Sequence, residues 1–110
     1  MARLEYLELP VGDRAAATRF YAQAFGWSFT DFGPDYAATM SGDTDLGLDA
    51  AQDKVKAPLP VIRVDDLEAT LAAVEAAGGV VTVPIFAFPG GRRFHFRDVD
   101  GHALAAMQAD

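Results

Sequence analysis

The sequence predicts an α+β fold made of two βαβββ modules, and three observations carry that prediction. A strand, a helix and three short strands follow one another over the first fifty residues, and the same order starts again near Leu59. Sliding the chain by 52 residues places Asp13 on Asp65, Gly26 on Gly78, Phe29 on Val81 and Thr30 on Thr82, so helix starts meet helix starts and stops meet stops. Each unit alone is too small to bury a sheet face, which obliges the two to pair and sets their helices on one side. The modules run from about 1 to 50 and about 58 to 110, with a polar connector at about 51–57, inside one domain spanning 1–110.

"RLEYLELP", Arg3 to Pro10, alternates, with Leu4, Tyr6 and Glu8 on one face and Glu5, Leu7 and Leu9 on the other, and reads as a strand. Asp13 caps a helix over about 13–25, in which Ala16, Ala17, Phe20, Tyr21 and Ala24 recur at helical spacing until Gly26 supplies a left-handed stop. "WSFTDF", "DYAATMS" and "TDLGLDA" are three short strands separated by the turn-forming "GPD" and "SGD". In the second module "LPVIRV" is a strand, and Asp65-Asp66-Leu67-Glu68 reads as a capping box. Leu67, Leu71 and Val74 mark the buried stripe of a second helix ending at Gly78. "VVTVPIFAF", "RRFHFRD" and "HALAAMQ" are the last strands, the final pair joined by the tight turn that Asp98 to Gly101 signals.

Composition narrows the function classes. Among 110 residues there is no cysteine, which removes disulfides and thiolate metal sites, and no charged start leading into an apolar run, so a soluble cytoplasmic protein is expected. The longest apolar stretch, from Gly79, is short for a bilayer and interrupted by Pro84 and Pro89, so no membrane partner is expected. A net charge of −7 repels phosphate backbones, and nucleic acid is not expected either. Six aspartates and no cation occupy Asp31 to Asp53, whereas Arg92, Arg93 and Arg97 cluster on one hairpin, either as a solvated stripe or as an anion grip.

Four segments in order, "YLELPVGD", "RFYAQAFGW", "VDDLEATLAAVEAAGG" and "GGRRFHFRDVDGHALAAMQ", give the chain a resemblance to the vicinal oxygen chelate superfamily of glyoxalase, bleomycin-resistance and ring-cleaving dioxygenase domains. The last segment departs from the usual Asp-Pro-Asp-Gly turn, with Val99 in place of proline. The resemblance implies a U-shaped mixed sheet of paired modules with helices outside, a small-molecule cavity within, and a homodimer. It also implies, in metal-dependent members, histidine and glutamate ligands from the first and last strands of each module. Here the corresponding positions hold Tyr6, Leu59 or Pro60, and Ala105, with Asp45 or Asp49 near the fourth. Phenol, leucine, proline and alanine are poor or absent ligands, so no cofactor is expected. A divalent metal at an atypical site drawing on His95, His102 and Asp100, or on Asp45, is the alternative.

The remaining candidates follow from alternation and chemistry. If Tyr6 occupies the former ligand position, Glu8 on the same face either looks inward as a general base or cation-attracting group, or caps the sheet in water. Arg93, His95 and Arg97 share one face and Arg92, Phe94 and Phe96 the other. The aromatic pair is expected under a helix, while the Arg93 and His95 face points to a cavity or to solvent. Tyr36 is the preferred lining aromatic, and Trp27 is expected mainly to pack. The catalytic candidates are His95 and Glu8; the binding candidates are Tyr6, Glu8, Tyr36, Arg93, His95 and Ala105. The expected function is metal-independent binding of a small organic molecule. The rivals are a glyoxalase-like lyase, isomerase or dioxygenase, and a ligand-free dimeric interaction module.

Overall fold

In a computed structural model of the chain, residues 2–51 and 56–110 are described. Most of the expected connector therefore lies outside the described residues. Two compact units emerge, Tyr6–Leu59 and a second made of residues 2–5 with Pro60–Asp110. Among the described residues no helix is long and apolar enough to cross a membrane.

The first unit holds the strand β1 (Arg3–Pro10, from Tyr6 on), the helix α1 (Arg14–Phe25) and the strands β2 (Thr30–Asp31), β3 (Tyr36–Ala38) and β4 (Asp45–Asp49). Its strand order is β2–β3–β4–β1, with β1 parallel to β4 and the other neighbours antiparallel. Asp13 caps α1 by accepting from the Ala16 amide at 3.0 Å, and Gly26 ends the helix at φ 71, both as the sequence predicts. The amphipathic stripe behaves differently from its expectation. No residue of α1 is buried, and Phe20 is 60% exposed. Its aromatics instead pack on one another, Tyr21 against Phe20, Phe25, Trp27 and Phe29 at centroid distances of 5.1 to 6.5 Å. Trp27, expected mainly to pack, stacks on Tyr21 and Phe25 but stays 44% exposed, because its partners belong to this ring cluster and not to the core.

The second unit repeats the plan with β5 (Leu59–Arg63), α2 (Leu67–Ala76), β6 (Val80–Phe88), β7 (Gly91–Arg97) and β8 (Ala103–Ala109) in the order β5–β8–β7–β6. The parallel pair is β5 with β8, matching β1 with β4. Pro84, which lacks an N–H, sits in β6 where the pairing to β7 is irregular between Val83 and Phe86, as a strand proline requires. The cap of α2 is one residue later than expected. Asp66, not Asp65, accepts from Ala69 at 3.0 Å, and the Glu68 carboxylate turns away to Arg92 at 2.5 Å. Gly78, at φ 98, follows the last turn as the left-handed stop.

A hydrophobic core lies under α2. Val64, Leu67, Phe94 and Ala106 are buried together, with Ile62, Leu71, Val74, Val81, Ile85 and Phe96 packed around them. Leu67 also donates its amide to the Gln108 side chain at 2.8 Å, tying the helix start to β8. The expected placement of Phe94 and Phe96 beneath a helix is met. Phe94→Ala removes a fully buried ring and should cost about 3–5 kcal/mol in urea unfolding. Phe20→Ala, on an exposed ring, should stay within about 1 kcal/mol.

Candidate functional site

The pleat that buries one face of each module defines the opposite face. In the first module Ala37 and Leu48 are buried, and by alternation Tyr6, Glu8, Gly47, Asp49 and Tyr36 share the other side, while Asp45, the first residue of β4, turns its carboxylate into the β3–β4 loop. The register places Glu8 opposite Gly47, and Tyr36 opposite Asp49. Glu8 is only 7% exposed, so the choice between an inward and a wet carboxylate resolves to a buried one.

The hydroxyls of Tyr6 and Tyr36 hydrogen-bond each other, and Tyr36 also donates to Glu8 Oε2 at 3.4 Å. With the Tyr36 proton directed at Glu8, the proton between the two phenols comes from Tyr6. The result is a chain polarised toward the carboxylate. Gly47 makes room for it, because a Cβ at that position would overlap both phenol oxygens. A glycine inside a strand commonly marks such a close approach. Burial, then the hydrogen bond with Tyr6 and the negative charges of Glu8 and Asp49, push the Tyr36 phenol far above its ordinary value. Tyr36 is therefore a neutral donor across the physiological range.

Asp45 and Asp49, the acidic candidates of β4, are committed elsewhere. Asp45 accepts from Thr39 Oγ1 (2.7 Å), the Ser41 amide (2.8 Å), Ser41 Oγ (2.6 Å) and the Gly42 amide (3.2 Å), closing the β3–β4 loop. Burial works to raise its pKa, but these bonds outweigh it and hold the carboxyl below the usual range. Asp49 accepts from the Ala51 amide at 2.8 Å.

In the second module, Arg93 and His95 lie on the side of β7 opposite Phe94 and the α2 core. Arg93 stacks over the rings of Phe86 and Phe88 at 5.5 and 5.4 Å, and Phe86 lies 5.7 Å from the His95 ring. His95 Nε2 is buried and has no hydrogen-bond partner among the described residues. Burial first, and then the Arg93 cation, lower the imidazole's pKa and favour its neutral form. Ala105, fully buried, is the cross-strand partner of both His95 and Val61. Arg92 pairs with Glu68, and Arg97 is exposed.

The His95–His102 chelate does not form. The register sets His95 opposite Ala105, while His102 remains in the turn, its amide donating to Asp98 Oδ1 at 2.9 Å. Three residues of extended strand separate His102 from the position facing His95, about 10 Å. Among the described residues no group of three His, Asp or Glu side chains could hold a metal ion. Of the positions that the resemblance assigns to metal ligands, Tyr6 is engaged with Tyr36, Asp45 closes a loop, and Leu59 and Ala105 carry no donor side chain. The Gly47 notch was the feature missed in the sequence, although a glycine centred in "DLGLD" is a visible signal for it.

Comparison with known proteins places these features in context. The model of the Glyoxalase/Bleomycin resistance protein/Dioxygenase superfamily matches residues 3–106. CFP32 of Mycobacterium bovis and of Mycobacterium tuberculosis, provisionally named a glyoxylase, is 29% identical over 117 residues, covering 96% of this chain. The chain spans 45% of the length of these relatives. Methylmalonyl-CoA epimerase from Mycobacterium tuberculosis superposes with a TM-score of 0.76 at 15% identity, over 97% of this chain and 87% of that one. A superfamily member from Vibrio splendidus 12B01 reaches 0.73 at 15% identity over the full length of both. At these identities the structural likeness shows the fold alone.

Two measurements check the geometry. Gly47→Ala should destabilise by about 1–3 kcal/mol, and by clearly less when Tyr6 and Tyr36 are both phenylalanine, because the overlapping oxygens are then gone; additive losses in a double-mutant cycle would refute the notch. Tyr36 has a folded-state pKa raised above its unfolded value of 10.0, so its contribution to stability is complete below that pH and is lost as pH rises beyond it. Unfolding free energy should fall through the alkaline range, and Tyr36→Phe should flatten that slope.

Proposed function

Because the chain belongs to the glyoxalase/bleomycin resistance protein/dioxygenase superfamily and has its α+β fold, we propose that it binds a small organic molecule without a metal ion. The candidate binding groups fall module by module: Tyr6, Glu8 and Tyr36 on the helix-free strand face of the first, and, separately, Arg93, His95 and Ala105 on that of the second. The single observation that carries the reading is the half-buried Tyr6–Tyr36 pair leading to the buried Glu8 over Gly47. Burying a carboxylate beneath two half-buried phenols costs stability that an apolar face would not, and a polar ligand site is the use that such a cost supports.

The chemistry follows from the groups. The neutral phenols suit hydrogen bonding to a carbonyl or hydroxyl oxygen, Glu8 suits acceptance of a proton or a ligand N–H, and neutral His95 offers a nitrogen for proton exchange. Metal independence is supported by the donors themselves, since Tyr6, Leu59, Pro60 and Ala105 stand where metal-dependent relatives are expected to place ligands. We place the protein in the cytoplasm as a homodimer, the second point being open to sedimentation analysis.

Elemental analysis after incubation with Zn, Ni, Mn or Fe(II) should show no retained ion, and thermal-shift screening of small carbonyl and hydroxyl compounds should find stabilising ligands. About one tightly held ion per chain would instead favour a lyase, isomerase or dioxygenase. A protein that binds neither would favour the interaction module. Tyr6→Phe and His95→Ala should weaken ligand binding about tenfold, in line with the loss of one buried hydrogen bond. Ala105→Glu alone should create no metal affinity and should lower stability, because it buries an unpaired carboxylate at a fully enclosed position.

A further inference from the structure

A cavity of about 620 Å³ opens on the other side of the first module's strands. Leu7 and Leu46, which alternate with Tyr6 and Gly47, form part of its wall, so it is distinct from the Tyr6–Glu8–Tyr36 face. Trp27 and Met40 add an indole and a thioether, and both are exposed. Asp45 and Gly26, the residue that ends α1, complete the features that matter. We propose that this cavity binds a small organic cation, an ammonium group carried on an aromatic or apolar body.

Four observations converge on that chemistry. Tyr21 and Phe25 stack against Trp27 at centroid distances of 5.9 and 5.2 Å, holding the indole as a fixed wall. Trp is the strongest cation-attracting ring. Asp45 accepts four hydrogen bonds from Thr39, Ser41 and Gly42, so its negative charge is fixed in the cavity wall. Helix α1 ends at the cavity with no basic side chain in its last turn, so the negative end of its dipole is not offset there. Among the described residues no lysine, arginine or histidine lines the cavity, and the chain as a whole carries a charge of −7. An anion meets only repulsion, whereas a neutral ring gains the apolar contact and lacks the charge terms.

Trp27 is the chain's only tryptophan, so its fluorescence and its single indole N–H resonance report this cavity alone. Phenethylammonium, 2-phenylethanol and phenylacetate share one ring and differ in charge. Titration should perturb both Trp27 signals, with phenethylammonium binding about tenfold more tightly than the alcohol and phenylacetate producing no saturable change. Ser28→Arg, on an exposed cavity residue outside any helix or strand, should cost the ammonium about tenfold in affinity while leaving the thermal midpoint unchanged. Equal affinity for ammonium and alcohol, saturable binding of the carboxylate, or full affinity in Ser28→Arg would overturn the proposal. So would an indole resonance that stays fixed at millimolar phenethylammonium.

Discussion

A single helix covers only one face of each four-stranded module, and most of what this protein can do depends on that limit. The face under α2 collects Leu67, Phe94 and Ala106 into an apolar core. Strand alternation then commits every second residue to the opposite face, whatever its chemistry. On β1 this pairs the apolar Leu7 and Leu9 with the polar Tyr6 and Glu8, and on β7 it pairs Phe94 and Phe96 with Arg93 and His95. The polar groups are therefore positioned by the same pleat that builds the core, and a one-residue slip in either strand would exchange the two.

The two modules meet this constraint unequally. Helix α2 lays Leu67, Leu71 and Val74 onto its strands, whereas α1 buries none of its residues and turns its aromatics toward one another. The second module thus builds its core beneath its helix, around Leu67 and Phe94. The first carries the more acidic and more open structure, in which hydrogen bonds to carboxylates replace apolar packing: Asp13 starts the helix, Asp45 closes a loop and Arg14 binds Asp31 at 2.5 Å.

Local features were legible in the sequence because local forces decide them. Asp13, Gly26 and the Asp98–Gly101 turn act within a few residues, and each does what its residue type dictates. The alternation of "RRFHFR" likewise gave the face of Phe94 correctly. The cap at Asp65 was misplaced by one residue because Asp66 has the same chemistry, and Glu68 found a stronger partner in Arg92 than the backbone offers. Trp27 packs as its size argues, yet it stays part-exposed because the neighbours that hold it come from a helix that is itself unburied. The His95–His102 pairing failed on register, which sets how far each histidine lies from the turn. The site's key contact, Tyr6 with Tyr36, joins positions thirty residues apart and leaves no local trace.

Gly47 also limits the chain's freedom to vary. A strand interior ordinarily accepts many side chains, yet here the absence of a Cβ and the presence of two phenol oxygens are a single condition written at three places. A homologue that gains any side chain at position 47 must lose or redirect the hydroxyls at positions 6 and 36, and one that keeps both hydroxyls must keep the glycine. The three positions should therefore drift together across descendants of this sequence, and a lineage that breaks the set marks the point where the polar chain was abandoned.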